Sequence, residues 1–242
     1  MKNVKLTISR NINVGKDIYL MTLIGDTSCI KNPGEFIEIT VPGYYLRRPI
    51  SVCKYTDQSL DILYKVLGHG TKDMTTFKIG MELDVLIGLG NGFKVRNNIT
   101  PLLIGGGIGI APLFGLAKAF NELGIKPILV YGARSKDDIV LTEELDSLCY
   151  TYYCTDDGSV GYKGNVINCI KDNNLNFDYY YACGPHKMLE FLAKDFKNGC
   201  VSLEARMGCG FGACMGCSIE TINGPKRVCK EGPVFEASEV IF

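Results

Sequence analysis

From Val4 to about Gly88, apolar and polar residues alternate in short runs, as in Val4-Lys5-Leu6-Thr7-Ile8, Phe36-Ile37-Glu38-Ile39-Thr40-Val41 and Leu83-Asp84-Val85-Leu86. A period of two puts every second side chain on one face of a strand, so each run can bury one face and wet the other. Turn residues separate the runs at Asn13 to Gly15, Asn32 to Gly34, Pro42-Gly43 and Asp57-Gln58. Many short strands at this spacing predict a small antiparallel barrel. One short helix is expected after Thr71, over Lys72-Asp73-Met74-Thr75-Thr76-Phe77.

Further along, the pattern changes to continuous apolar runs joined by helical periods. Pro101 to Ile104 reads as a buried strand, followed by a glycine turn and an apolar helix from Leu113 to Leu123. Strands are expected at Ile128 to Tyr131, Cys149 to Thr155 and Tyr179 to Ala182. Ser135 with Asp138 resembles a helix cap, which predicts a helix from Ser135 to about Leu148. Val166 to Lys171 should be helical, and Met188, Leu189, Leu192 and Phe196 share one face of a last helix. Alternating strands and helices make this part a parallel α/β domain, with ligands at the carboxyl ends of its strands. The expected division is 1–96, a barrel; 97–200, the α/β domain; and 201–242, a small C-terminal module.

Composition narrows the function classes. Apolar residues make up 46% of the 242, enough for packed cores. Lys plus Arg equals Asp plus Glu, 26 each, so no basic field is available to hold nucleic acid or anionic lipid. The uncharged run Ile99 to Ala117 has the length of a membrane span, but it holds Pro101, Pro112 and five glycines. Met1 leads into charged, alternating sequence rather than a secretory signal. A soluble cytoplasmic protein without a membrane partner is expected.

The C-terminal module carries the most specific chemistry. Cys209, Cys214 and Cys217 give C-x4-C-x2-C, and Cys229 follows. Four thiolates in this order suit a [2Fe–2S] cluster of the plant ferredoxin type. Gly208, Gly210, Gly212 and Gly216 let the backbone curl around such a core, and the fourth ligand is expected from a returning strand. A zinc site, disulfides, or a redox pair at Cys214 and Cys217 are the alternatives. The other cysteines (29, 53, 149, 154, 169, 183 and 200) are scattered singly, as buried thiols usually are.

Two stretches of the barrel region could hold a phosphate. Arg48, in Arg47-Arg48-Pro49-Ile50-Ser51, has the fork that matches two pyrophosphate oxygens, although a surface ion pair would explain it as well. Leu63-Tyr64-Lys65-Val66-Leu67-Gly68-His69-Gly70-Thr71 passes from a strand through a glycine turn to a helix start. His69 alone reads as an exposed loop histidine. In the α/β domain, Gly105, Gly106, Gly107 and Gly109 lie between strand and helix, the dinucleotide-binding arrangement, with Pro112 where a last glycine would stand. No ribose-binding acid ends the second strand. Arg134 there would favour NADP; Asp156 and Asp157 offer a carboxylate for the ribose of NAD, and NAD is the reading preferred.

Nicotinamide moves electrons in pairs and an iron–sulfur cluster moves them singly, so a chain with both signals implies a flavin between them. The pieces together resemble the ferredoxin–NADP reductase superfamily. Arg48 to Ser51 is similar to its flavin motif, with Ile50 where tyrosine is usual; Gly70-Thr71 resembles its second FAD motif; and the Gly105–Pro112 and Cys183-Gly184-Pro185 segments resemble its nicotinamide motifs. More narrowly, RRPIS, LGNGF at 89–93, and SLEARMGCGFGACMGC through CKEGPVF resemble the electron-transfer subunits of bacterial type B, NAD-dependent dihydroorotate dehydrogenases.

That resemblance implies an oxidoreductase with an N-terminal antiparallel FAD-binding β-barrel, a central NAD-binding α/β domain and a C-terminal [2Fe–2S] module. It implies that Arg48, Pro49, Ile50 and Ser51 serve FAD, with Ser51 reaching the flavin ring. Leu63, Tyr64 and Lys65 would line the FAD site, and Gly70 and Thr71 would bind its pyrophosphate. Cys183 and Gly184 would lie near the nicotinamide, with Ser51 and Cys183 as the catalytic pair, and Cys209, Cys214, Cys217 and Cys229 would ligate the cluster. The implied partner is a separate FMN-containing dihydroorotate dehydrogenase catalytic subunit, in a heterotetramer of two of each, working in pyrimidine biosynthesis. A related NAD(P)H reductase subunit serving ferredoxin or sulfur compounds, a redox-sensing binding module, and a zinc-stabilised scaffold are the competing expectations.

Overall fold

The computed structural model describes residues 1–242. Six strands form the barrel: β1 (Lys2–Gly15), β2 (Ile18–Ile24), β3 (Phe36–Ile39), β4 (Arg48–Tyr55), β5 (Ser59–Lys65) and β6 (Glu82–Leu89). They close in the order β1-β2-β5-β4-β3-β6, all antiparallel, and helix α1 (His69–Met74) follows β5. The alternation seen in the sequence is what fills the interior. Leu6, Ile8, Met21, Leu23, Ile37, Ile39, Ile62, Leu83, Val85 and Ile87 form its buried core.

The second layer is a seven-stranded sheet. Its parallel strands are β7 (Pro101–Gly106), β8 (Ile128–Ala133), β9 (Tyr150–Thr155), β10 (Tyr162–Lys163), β11 (Tyr179–Cys183) and β12 (Gly199–Ser202). Helices α2 (Ile110–Glu122), α3 (Thr142–Leu148), α4 (Val166–Asp172) and α5 (His186–Asp195) connect them. The cluster segment contributes a short antiparallel pair, β13 (Ser218–Ile219) and β14 (Lys226–Arg227). The chain then returns as β15 (Val234–Glu236), antiparallel to β12 at the sheet edge, in the order β10-β9-β8-β7-β11-β12-β15. Strand β12 therefore straddles residues 200 and 201, where the sequence reading divides the α/β domain from the last module.

Two cores tie these parts together. On one face of the sheet, Leu103 and Leu129 pack with Leu113, Leu116, Ala117 and Phe120 of α2 and with Ile18, Leu20, Cys53 and Leu63 of the barrel. Gly115 lets α2 approach β4: a Cβ there would stand 3.3 Å from the Cys53 carbonyl oxygen. On the other face, Leu102, Ile104 and Val130 pack with α4 and α5, and the same core holds Cys217, Val228 and Cys229 with Phe36 and Leu89 of the barrel. The Leu89-Gly90-Asn91-Gly92-Phe93 segment is the clasp. Asn91 Nδ2 donates to the carbonyls of Lys230 and Glu231 (3.2 and 2.9 Å), and its N–H donates to Gly232 O (2.8 Å).

Four local expectations need correction. The predicted helix from Ser135 to Leu148 is a single 3-10 turn at Lys136–Asp138, an extended Ile139 and then α3. Asp138 does not form a capping box with Ser135, because its carboxylate accepts from Lys65 Nζ (2.7 Å), and Leu141 has φ 60°, which ends helical continuity. The short helix begins at His69, not after Thr71, because Gly68 is its N-cap and the Thr71 hydroxyl accepts from the Gly68 N–H (3.2 Å). Asn13 to Gly15 belongs to β1, across a register shift, and the reversal falls at Lys16-Asp17, with Asp17 at φ 57°. Cys229 lies in the turn just past β14, not in a strand.

Candidate functional site

A cleft of about 470 Å³ opens at the carboxyl ends of the central strands. Gly106, Gly107 and Gly109 line it from the first turn, Gly184 from the end of β11, and Arg134 and Asp156 from the ends of β8 and β9. The first turn and the Cys183–Pro185 turn interlock. A Cβ on Gly109 would stand 2.3 Å from Cys183 O, and one on Gly184 would stand 2.9 Å from Gly106 Cα. Gly107, at φ +54°, has open space where a side chain would be, so a phosphate can approach its backbone. Pro112 is the third residue of α2, where a missing N–H leaves no bond unmade.

Other predicted residues fall differently. Gly105 lies inside β7 beneath the cleft, facing Ile110. Cys183 is 2% exposed and points into the core; burial, with help from Glu204, pushes its thiol up to about 12. A thiol so buried and held neutral is a poor nucleophile. Asp157 is occupied locally, its Oδ1 accepting from the Ser159 N–H (2.9 Å) and hydroxyl (2.6 Å), so Asp156 is the carboxylate left facing the cleft. Glu204, on the exit from β12, also lines the cleft, and burial raises its carboxyl. Sequence reading gave Glu204 no role, since nothing in its periodicity distinguishes it.

The barrel has a seam. Strands β4 and β5 pair at Val52↔Ile62, Lys54↔Asp61 and Tyr55↔Leu60, and the pairing goes no further toward Arg48. Arg48 to Ser51 is paired on one side only, with β3. Leu63 to Lys65 is likewise paired only with β2. Two half-satisfied backbone edges thus face one gap, and such groups need partners. At the mouth of that gap the Arg48 guanidinium lies against Gly70, where a Cβ would meet its Nε at 2.3 Å. The same guanidinium is 4.6 Å from the Tyr44 ring and donates to Leu46 O. Thr71 accepts from the Leu67 N–H (3.0 Å) as well as from Gly68, fixing the turn.

Side chains along the seam alternate. Leu63 joins the core shared with α2, while Tyr64 turns into the barrel, stacked on Tyr19 at 5.5 Å and donating to Asn11 Oδ1 (2.9 Å). Ile50 also packs on the barrel core. Their contribution at the gap is therefore backbone. Pro49 and Ser51 are half-buried beside it. Lys65 reaches across to Asp138, and Lys54 to Glu144, so the barrel and the α/β domain are joined by two ion pairs flanking the shared core.

In the C-terminal loop the sulfurs gather as two pairs. Cys217 and Cys229 are buried with Sγ atoms 3.2 Å apart. Cys209 and the exposed Cys214 form the other pair, with the Cys209 Sγ accepting from the Ala213 N–H (3.2 Å) and the Cys214 N–H (3.4 Å). Burial raises the Cys209 thiol, but the amides of Cys214, Phe211 and Ala213 outweigh it and bring it down to about 6. No three of the sulfurs converge on one point as a single ion would need. Two irons, each taking two thiolates, fit a two-pair arrangement, and amides aimed at sulfur suit an anionic cluster. Arg227 braces the loop through Gly212 O and is itself paired with Glu231.

The comparisons agree with this geometry. Residues 204–241 match the iron-sulfur cluster binding domain of dihydroorotate dehydrogenase B, and 103–194 match the oxidoreductase NAD-binding domain. The chain is similar to the Fusobacterium nucleatum "Dihydroorotate dehydrogenase B (NAD(+)), electron transfer subunit", 42% identical with 99% of both chains covered. The protein of the same name from Bacillus pumilus is 40% identical, over 99% of this chain and 98% of the other. Among solved structures, an NADH-dependent reduced ferredoxin-NADP oxidoreductase is 30% identical, with TM-score 0.90 over 98% of this chain and 89% of that one. Phthalate dioxygenase reductase, at 17% identity and TM-score 0.69 over 91% and 87%, shares the fold. Barrel, nucleotide cleft and paired thiolates thus occur together in one chain, which belongs to the family of dihydroorotate dehydrogenase B (NAD(+)) electron transfer subunits.

Proposed function

We propose that the chain is the relay of a two-subunit enzyme. It carries electrons from the FMN of a dihydroorotate-oxidising subunit, by way of [2Fe–2S] and FAD, to NAD+. The assembly is a cytoplasmic heterotetramer of two subunits of each kind, serving pyrimidine biosynthesis. The observation that carries the reading is the shared wall of the barrel. Phe36 on β3 shares a core with the ligand pair Cys217 and Cys229, while Leu63 on β5 shares the opposite core with the nucleotide helix α2. The seam between Arg48–Ser51 and Leu63–Lys65 lies between these two neighbours.

Bound flavin exchanges electron pairs with nicotinamide and single electrons with a cluster. The chain's own residues hold and orient. Arg48, with the Gly70-Thr71 turn, takes the FAD pyrophosphate; the one-sided edges of Pro49 to Ser51 and Leu63 to Lys65 give backbone bonds to the ring. Gly106, Gly107 and Gly109 take the NAD pyrophosphate, Asp156 its ribose, and Gly184 leaves room for the nicotinamide beside Cys183. The four cysteines hold the cluster. Exposed Cys214, Phe211 and Met215 mark the face where the partner docks. The working division is 1–96 for FAD, 97–200 for NAD and 201–242 for the cluster.

The test is co-expression with an FMN catalytic subunit and assay of dihydroorotate-dependent NAD+ reduction. Activity that needs both chains supports the reading; a purified chain lacking iron, labile sulfide and flavin overturns it. A ferredoxin-type acceptor is the second reading, supported by the 30% identity to the ferredoxin-NADP oxidoreductase chain. Ferredoxin reduction by NADH, with no complex formed with the FMN subunit, would favour that one.

A further inference from the structure

Glu38 is a buried carboxyl group without a hydrogen-bond partner. It projects from the outer face of β3, between Ile37 and Ile39, which face the barrel core. It is 1% exposed, and its Oε1 is unpaired. Gly210 of the cluster loop lies directly over it: a Cβ there would stand 2.3 Å from Glu38 Cδ. Beside Glu38 a cavity of about 360 Å³ runs to the surface, lined by Asn3, Tyr45, Arg47, Cys209 and Phe211. Arg47, the cation lining the same cavity, is already committed to Asp84 Oδ1 (2.6 Å) and Asn3 Oδ1 (3.1 Å). Two of the other lining side chains, Tyr45 and Phe211, are large and exposed, as is Leu46 next to Tyr45 in the chain.

An unpaired buried carboxyl group and a cluster of exposed large apolar side chains are each unfavourable alone. Together, at one cavity, they have the composition of an interface centre waiting for its counterpart: an unpaired carboxyl group at the bottom and aromatic walls for a long apolar stem. Resting on the function proposed above, we propose that this cavity receives a lysine or arginine side chain of the dihydroorotate-oxidising subunit, which pairs with Glu38 while Tyr45 and Phe211 cover its stem. A free metal or ammonium ion would answer the carboxylate but leave Tyr45 and Leu46 in water. A cationic side chain answers both. Docking there seats the partner on the loop that carries Cys209 and presses Gly210 onto β3.

The test compares wild type, Glu38→Gln and Tyr45→Ala, each purified with its cofactors, for binding to the FMN catalytic subunit. Glutamine keeps shape and acceptor but cannot ionise to pair with a cation, so Glu38→Gln should weaken the complex about 10- to 100-fold, chiefly through faster dissociation. Tyr45→Ala should weaken it less, and iron content and NADH-driven dye reduction of the isolated chain should not change. Hydrogen exchange on the wild-type complex gives a readout that needs no variant: amides of 45–47 and 208–211 should gain protection. Unchanged affinity of Glu38→Gln, or no protection of these amides, overturns the inference and leaves the electron-relay function standing. Wild-type protein that forms no complex with the FMN subunit overturns both.

Discussion

Arg48 and Gly70 are in such close contact that a single methyl group on Gly70 would stand 2.3 Å from Arg48 Nε. The guanidinium is thus held at the mouth of the barrel seam by a residue with no side chain. Gly70→Ala should push the fork aside and weaken flavin binding by about 10- to 100-fold, about 1.4–2.8 kcal/mol. The flavin-to-protein absorbance ratio after dialysis checks this, and Arg48→Ala should give the same loss.

The two sulfur pairs predict two kinds of cysteine variant. Cys214→Ser removes an exposed thiol proposed to hold the cluster and should lower iron and labile sulfide with little further change in melting temperature. Cys229→Ser places a hydroxyl in a core position that is 3% exposed. It should lose the cluster and also about 1–2 kcal/mol of stability, a fall of about 2–8 °C. Iron and sulfide assays beside thermal melts separate the two.

Lys65 and Asp138 join the barrel to the α/β domain at 2.7 Å, with the Asp138 side chain 8% exposed and Lys65 29%. Asp138→Asn should cost about 1–3 kcal/mol in a urea titration, because the lysine loses its anion but still reaches water. A double-mutant cycle with Lys65→Met should recover most of the coupling.

Asp156 faces the cleft while Asp157 is tied to Ser159. Asp156→Ala should raise the KM for NADH about 5- to 10-fold with kcat little changed. Discrimination against NADPH should narrow, because Arg134 remains. Asp157→Ala should act on stability of the turn rather than on KM.

Cys183 provides a pH test. Burial lifts its thiol to about 12, so at pH 8 only about one in 10⁴ would be ionised. A raised value keeps the neutral form, so native protein should leave Cys183 unmodified by iodoacetamide from pH 6 to 9. Peptide mapping after a short pulse should find label there only in urea.

What the sequence makes legible is local. The glycines of the first turn and the order of Cys209, Cys214 and Cys217 are set by near neighbours, and their geometry follows from spacing. The corrections arise where a distant residue wins. Asp138 leaves its expected cap for Lys65, 73 positions away, and the predicted helix breaks there. Gly90 shows the same limit: its φ of +76° has a local signature, but the Pro233 it accommodates lies far along the chain. Nothing in the alternation of Phe36 to Ile39 marks Glu38 as covered by the cluster loop. Its burial comes from Gly210, which a strand pattern cannot see.

The loop carrying the cysteines leaves the sheet on β12 and rejoins it on β15, with Ser202 opposite Val234 and Cys200 opposite Glu236. Its two ends are adjacent rungs of one ladder, clasped further by Asn91. An electron carrier anchored at both ends cannot swing on a tether between donor and acceptor. Its hopping distance is set once, when the sheet forms, so the rate of transfer within the chain should not respond to solvent viscosity.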